Sequence, residues 1–307
     1  MSALGAPFTR EALAWLAEAL RSKPRRLRLA PMSGSTSSTL YRVELEKGAG
    51  LERYVLRLID NAAWLAEEPN LAEHEWTALL EARRAGLKAP APVAFAGVEA
   101  GFGAPVVLMS FVEGEVRLLP SDFQAWIRRI ASELAAVHAH GAPGFRWRYR
   151  SWVRRDELAP PRWSAEPGPW EEAIARFLEG EPAAPACLIH RDYHPANLLW
   201  LGDEISGVVD WINACLGPAG VDVAHCRTDL ALMHGPEVAQ RFLEVYTEAS
   251  PGYVHDPYWD LDSILDRALP RPAYHSPWAA FGLARIPAKV LQARLERHLR
   301  QVMRDLE

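Results

Sequence analysis

The sequence predicts an α+β fold in two lobes, a small antiparallel-sheet lobe followed by a mostly helical one, and three observations lead there. The chain has 307 residues, more than one compact core usually holds at roughly 100–200 residues per domain. Its first third carries Tyr41, Val43 and Leu45 at period two, a glycine-containing turn at residues 47–50 and the run Tyr54-Val55-Leu56-Arg57-Leu58-Ile59, the pattern of a hairpin. From about residue 123 the apolar spacing becomes helical and stays so over most of the remainder. We therefore expect an N-terminal lobe over residues 1–109, a connector at 110–113 and a C-terminal lobe over 114–307, with a cleft between the lobes.

In chain order, Thr9 stands before Leu13, Leu16, Ala17 and Leu20, which share one face of a capped amphipathic helix, and Pro24 follows its end. The polar run at 33–39 leads into the hairpin. Residues 71–84 are helical in pattern, and the Ala-Pro repeat at 89–92 breaks them before short strands at 93–95 and 106–109. A helix is expected from 123 to 140, an irregular Pro- and Trp-rich stretch from 142 to 170, and another helix from 170 to 178. Short strands at 187–189, 198–200 and 205–210 flank two polar turns, the kind of place where catalytic residues gather. From 221 onward the chain reads as helices.

Hydrophobic residues make up 49% and charged residues 24%, an ordinary globular balance. The net charge of -5 argues against a nucleic-acid partner, which would favour a basic excess. Cys187, Cys215 and Cys226 are odd in number and lack a CxxC pair, so neither a disulfide framework nor a zinc site is expected. There is no leader-like N-terminus and no apolar run of about 18 residues. A cytoplasmic protein without a membrane partner is the expectation, and the composition carries no signal of oligomeric state.

The strongest chemical signal is His190-Arg191-Asp192-Tyr193-His194-Pro195-Ala196-Asn197, with Asp210 ending an apolar run thirteen residues after Asn197. The spacing is that of a kinase catalytic loop followed by a metal aspartate. Phosphoryl transfer needs positioning and charge neutralisation more than covalent chemistry. Asp192 would accept the proton of the acceptor hydroxyl, and Asn197 and Asp210 would offer hard oxygens to Mg²⁺. His190 is read as packing. A GxxxxGK[ST] motif and a GxGxxG motif opening a helix are both absent, and Ala78 stands where a zinc protease beginning His74-Glu75 needs its second histidine.

On these residues the chain resembles the aminoglycoside phosphotransferase family, within the wider group of small-molecule kinases that includes choline kinases. The His194-Pro195 pair inside the loop, Trp211 after Asp210, and Gly217-Pro218 leading to Asp222-Val223-Ala224 are similar to the family pattern, which covers nearly the whole chain. The resemblance implies a two-lobed protein-kinase-like fold and a scaffold role for Asp222. It also implies that residues 33–39, with Ser33, Gly34, Ser35, Thr36 and Ser37, form the loop over the nucleotide phosphates. Arg57 takes the place of the phosphate-binding lysine, with Glu75 positioned to pair with it; arginine keeps the charge and adds a bidentate grip. The backbone of 109–112, Met109 and Phe111 included, would read the nucleobase.

The implied function is transfer of the γ-phosphate of ATP or GTP, with Mg²⁺, to a hydroxyl of a small molecule such as an aminoglycoside, another amine or a sugar alcohol. A catalytically silent nucleotide-binding scaffold is the non-enzyme alternative. A protein kinase is disfavoured, since no Phe-Gly follows Asp210 and no Ala-Pro-Glu lies downstream. Two weaker features remain. Residues 145–155 interleave arginines with aromatics and are expected as an exposed helical insert rather than a nucleic-acid contact, with the aromatics lining an acceptor pocket as the other reading. Asp256, Asp260, Asp262 and Asp266 lie near Tyr258 and Trp259, a pairing that suits a cationic acceptor or else a solvated helix face. His138 and His140 are expected as cap or core residues.

Overall fold

The computed structural model describes residues 8–33, 37–48 and 50–306. Its contacts divide the chain into two units, Met1–Gly114 with Ser206–Asn213, and Glu115–Ile205 with Ala214–Glu307. Asp210 therefore belongs to the first unit, although it follows the catalytic loop in sequence.

The first unit starts with helix α1 (Arg10–Ala19), whose free N-terminus is satisfied by Thr9 Oγ1 accepting the Ala12 amide at 3.2 Å. Strands β1 (Leu27–Met32), β2 (Thr39–Lys47) and β3 (Gly50–Leu58) follow, then the short α2 (Ala62–Glu67), α3 (Leu71–Arg84), β4 (Pro92–Ala96) and β5 (Val106–Ser110). The five strands form one antiparallel sheet in the order β1-β2-β3-β5-β4. The pattern of 27–32 hides its strand because Pro31 interrupts it. At the edge of a sheet a proline is tolerated, and β1 is an edge strand. Leu56 and Leu58 of β3 join α1 and the other strands in one apolar layer. Arg57, between them, points to the opposite face, where α3 packs on β4 and β5.

In the second unit the elements are β6 (Glu115–Val116), α4 (Phe123–His138), α5 (Pro167–Leu178), β7 (Ala186–Ile189), β8 (Leu198–Leu201), β9 (Glu204–Val208), β10 (Cys215–Pro218), α6 (Ala219–His234), α7 (Pro236–Ala249), α8 (Tyr258–Ala268), α9 (Pro277–Ala280) and α10 (Ala288–Arg304). A two-stranded sheet, β10-β7, and a three-stranded sheet, β6-β8-β9, flank the loop at 190–197, and β9 carries the chain into the first unit. Helix α6 is buried on almost every side, as expected of a helix surrounded by others. Gly220 lies in its first turn, where a Cβ would sit 2.2 Å from the Trp259 ring on α8, so only glycine permits this approach. Among the described residues no helix is long and apolar enough to cross a membrane.

Two expectations are corrected. Residues 145–150 are extended, not an exposed helix: Tyr149 donates to Leu216 O at 2.8 Å and Leu216 to Trp147 O at 2.9 Å, alongside β10. The alternation Phe145, Trp147, Tyr149 inward against Arg146, Arg148, Arg150 outward is a period-two pattern, the signature of a strand. The four aspartates do not form a solvated face either. Asp260 is buried against Arg227 and His255, and Asp262 accepts from Tyr149 and Ser151.

Candidate active site

In the first unit the chemistry-bearing side chains converge on one guanidinium. Arg57 Nη1 lies 2.6 Å from Asp210 Oδ1 and 3.3 Å from Glu75 Oε1, with Arg57 coming from β3 and Glu75 from α3. Asp210 follows β9 and adopts φ 70°, a left-handed conformation that costs a non-glycine residue about 1–3 kcal/mol. The turn after it is tied by Trp211 Nε1 donating to Val208 O at 2.8 Å, and this turn packs on α3. Two carboxylates share one cation, so one of them resists ionisation. Glu75, with a side chain 1% exposed against 27% for Asp210, is the one: burial, opposed by Arg57 and reinforced by Asp210, pushes its carboxyl up to about 7.

This shift fixes a stability prediction. A carboxyl raised in the folded state binds its proton while the unfolded chain has lost it, so stability is greatest below the usual value of 4.5 and falls as pH rises through 7. We expect urea unfolding to show a loss of about 3 kcal/mol from this group between pH 4.5 and 8. Glu75→Gln should flatten the slope across that window; an unchanged slope would refute the assignment.

In the second unit the loop between β7 and β8 presents Asp192. Its carboxylate Oδ1 lies 3.2 Å from His225 Nε2 and 3.6 Å from His194 Nε2. His194 Nδ1 accepts the Ala196 amide at 3.2 Å, and its Nε2 also lies 3.2 Å from Asn197 Nδ2. Asn197 Nδ2 donates to Asp192 O at 2.9 Å and approaches Oδ2 at 3.4 Å, and the Asn197 carbonyl oxygen accepts no hydrogen bond among the described residues. Burial by itself would raise the Asp192 carboxyl, but His194, His225 and His190 outweigh it and hold the group well below the usual carboxylate range. Asp192 is therefore ionised at neutral pH.

The loop is held from behind by Asp222, in the first turn of α6. Its Oδ2 accepts the His190 amide at 2.7 Å and its Oδ1 accepts the Arg191 amide at 2.6 Å, while His138 Nε2 lies 3.1 Å from Oδ2. Arg191 has φ 67°, so the two bonds hold a strained residue next to Asp192. Its guanidinium is stacked between Trp152 and Tyr149, 3.9 and 4.7 Å from the ring centres. Asp222 is buried, which opposes its charge, yet the bonds to His138 and the loop amides lower its carboxyl below the usual value.

Of the other expected residues, Ser33 and Ser37 lie in bends, and Gly34, Ser35 and Thr36 fall outside the described residues. Met109 is buried in β5 between Val55 and Pro92, and the Phe111 amide donates to Arg53 O at 3.2 Å. The Phe111 N–H is thus already engaged within the sheet. His225, Asp229 and Arg267 were not anticipated. His225 and Asp229 follow Asp222 by three and seven residues on one face of α6, and Arg267 Nη2 lies 3.2 Å from Asp229 and 2.9 Å from His225 Nε2. Their signal was there as polar residues at helical spacing within an apolar run.

Comparison with known proteins adds the following. The homoserine kinase of Rhizobium rhizogenes is 32% identical over 143 residues, 40% of this chain and 41% of that protein. The homoserine kinase of Methylobacterium nodulans is 32% identical over 161 residues, covering 46% and 47%. The chain thus spans less than half the length of these relatives. Among solved structures, a candidate aminoglycoside phosphotransferase from Ralstonia eutropha superposes with a TM-score of 0.62 at 16% identity, covering 94% of this chain and 99% of that one. The amicoumacin kinase hAmiN, solved with AMP-PNP and Ca²⁺, gives 0.58 at 14% identity, covering 92% and 89%. At these identities the likeness shows a shared protein-kinase-like α+β fold. Residues 28–260 match the phosphotransferase enzyme family, and the chain belongs to that family.

Proposed function

We propose that the protein transfers the γ-phosphate of ATP or GTP to a hydroxyl of a small molecule, with Asp192 receiving the hydroxyl proton. The observation that carries this reading is the setting of Asp192: an ionised carboxylate within 3.6 Å of two histidine nitrogens, on a loop whose 192 carbonyl is bonded by Asn197 and whose amides are pinned by Asp222. Its low proton affinity makes it a weak base. That suits a loose transition state, in which the proton moves late and orientation of the hydroxyl matters more. The acceptor oxygen bonds to phosphorus, the bond from the γ-phosphorus to the β,γ-bridging oxygen breaks, and Asp192 takes the proton.

Arg57 would grip phosphate oxygens in a bidentate way. Glu75 keeps that guanidinium in place. The Asn197 carbonyl oxygen and the Asp210 carboxylate are hard oxygen donors of the type Mg²⁺ prefers, and Asp210 Oδ2 accepts no hydrogen bond among the described residues. Mg²⁺, when bound, would neutralise charge on the phosphates.

For the acceptor, the likeness to homoserine kinases supports a hydroxyl compound that carries an amine. The test is nucleotide turnover with Mg²⁺ and ATP or GTP against homoserine, aminoglycosides and other amino alcohols, with product identified by mass. One phosphorylated product, lost in Asp192→Asn, is expected. Intact nucleotide binding without any phosphorylated hydroxyl compound would overturn the reading.

A further inference from the structure

We propose that the helical unit carries a second small-molecule site, behind the catalytic loop, built for a compact organic amine with an aromatic body. The cavity has a volume of about 790 Å³, within the roughly 300–1,000 Å³ of ligand sites. Its walls include His138, Cys187, Tyr246, Tyr253, Asp256 and Trp259, with the prolines of residues 182–185 along one side. Val254, also in the wall, is 87% exposed, an apolar side chain with nothing covering it among the described residues. Neither Asp192 nor Asn197 lines this space.

The chemistry of the lining selects the ligand. No lysine or arginine lines the cavity, and its two histidines each answer a buried carboxylate: His138 lies 3.1 Å from Asp222 and His255 2.6 Å from Asp260. Among the described residues, Asp256 therefore brings the charge that no cation of the lining answers. One of its oxygens accepts the Tyr258 amide at 2.9 Å, which leaves the other for a cation. The Tyr246 hydroxyl is 2.6 Å from His138 Nδ1; with the His138 Nε2 hydrogen directed to Asp222, the hydroxyl donates to Nδ1 and its oxygen can accept from an ammonium. The Tyr253 and Trp259 rings add faces that attract a cation. Of the four aspartates near Trp259, only Asp256 has this placement; Asp260 and Asp262 are spent on internal partners.

The site also touches the loop. Tyr246, His138 and Asp222 form a continuous hydrogen-bonded line that ends on the His190 and Arg191 amides. A ligand that fixes the Tyr246 hydroxyl tightens this line.

The experiment uses the full chain and the thiol of Cys187, the one cysteine of three that is not buried. Modification by methyl methanethiosulfonate, a thiol reagent that spares amines, is followed by mass at pH 8, where tryptamine stays an ammonium, with tryptamine or with 3-indolepropionate, an anion of similar shape. Tryptamine should slow labelling of Cys187, and the anion should not. Asp256→Asn keeps an oxygen for the Tyr258 amide and should weaken protection by about ten-fold. Equal protection by both probes, or none by tryptamine, overturns the site. Protection of Cys187 without slower hydrogen exchange at residues 190–191 overturns the link to the loop. Neither readout depends on phosphotransfer, so failure of the proposed function would leave this inference standing.

Discussion

Asp192→Asn is expected to lower phosphotransfer by about 10²–10⁴ while nucleotide binding stays intact. Asparagine keeps the size and one acceptor oxygen, so Asn197 retains its bond to the 192 carbonyl and the loop keeps its shape. What goes is the carboxylate proposed to take the proton. Since His194, His225 and His190 hold the carboxyl well below its usual range, Asp192 stays ionised as pH falls to 5. An acid limb of the rate profile near neutrality would therefore belong to another group. Single-turnover rates of the variant and the parent decide the matter; full activity in the variant would remove Asp192 from the reaction.

Asp222→Ala should be among the most destabilising single changes, costing about 3–5 kcal/mol. The carboxylate is fully buried and accepts two loop amides and a histidine contact. Removing it strands both amides and releases Arg191 from the left-handed conformation that those bonds maintain. Asp222→Asn, which keeps one acceptor oxygen, should cost roughly half as much. The carboxyl is depressed in the folded state, so its stabilisation is present above the usual carboxylate range and is lost as pH falls below about 4. Urea titrations of the parent and both variants at pH 7 and pH 3 measure this. A cost under about 1 kcal/mol for Asp222→Ala would show that the loop is held by something else.

Much of the chain was legible because its signals are local. Thr9 caps α1 through an amide three residues away, helix α3 runs from Leu71 to Arg84 as its apolar period indicates, and the motif residues Asp192 and Asn197 lie five apart and meet within one loop. Arg57 and Glu75 were paired by resemblance, and the structure brings them to 3.3 Å. Other signals were present but ambiguous. The alternation at 145–150 fits a strand, yet its arginines suggest an exposed insert until Leu216 is seen beside it. Pro31 argues against a strand until β1 is known to be an edge.

The sequence by itself determined the family pattern, the 190–197 motif with its following aspartate, and most helices, because capping, periodicity and motif spacing act over a few residues. The tertiary structure alone decided that Asp210 answers Arg57 across 153 positions, that Asp260 is neutralised by Arg227, and that His225 stands over Asp192. A buried charge must find its partner wherever the fold brings one, and the cost of leaving it alone is large. Distance along the chain carries no trace of that choice.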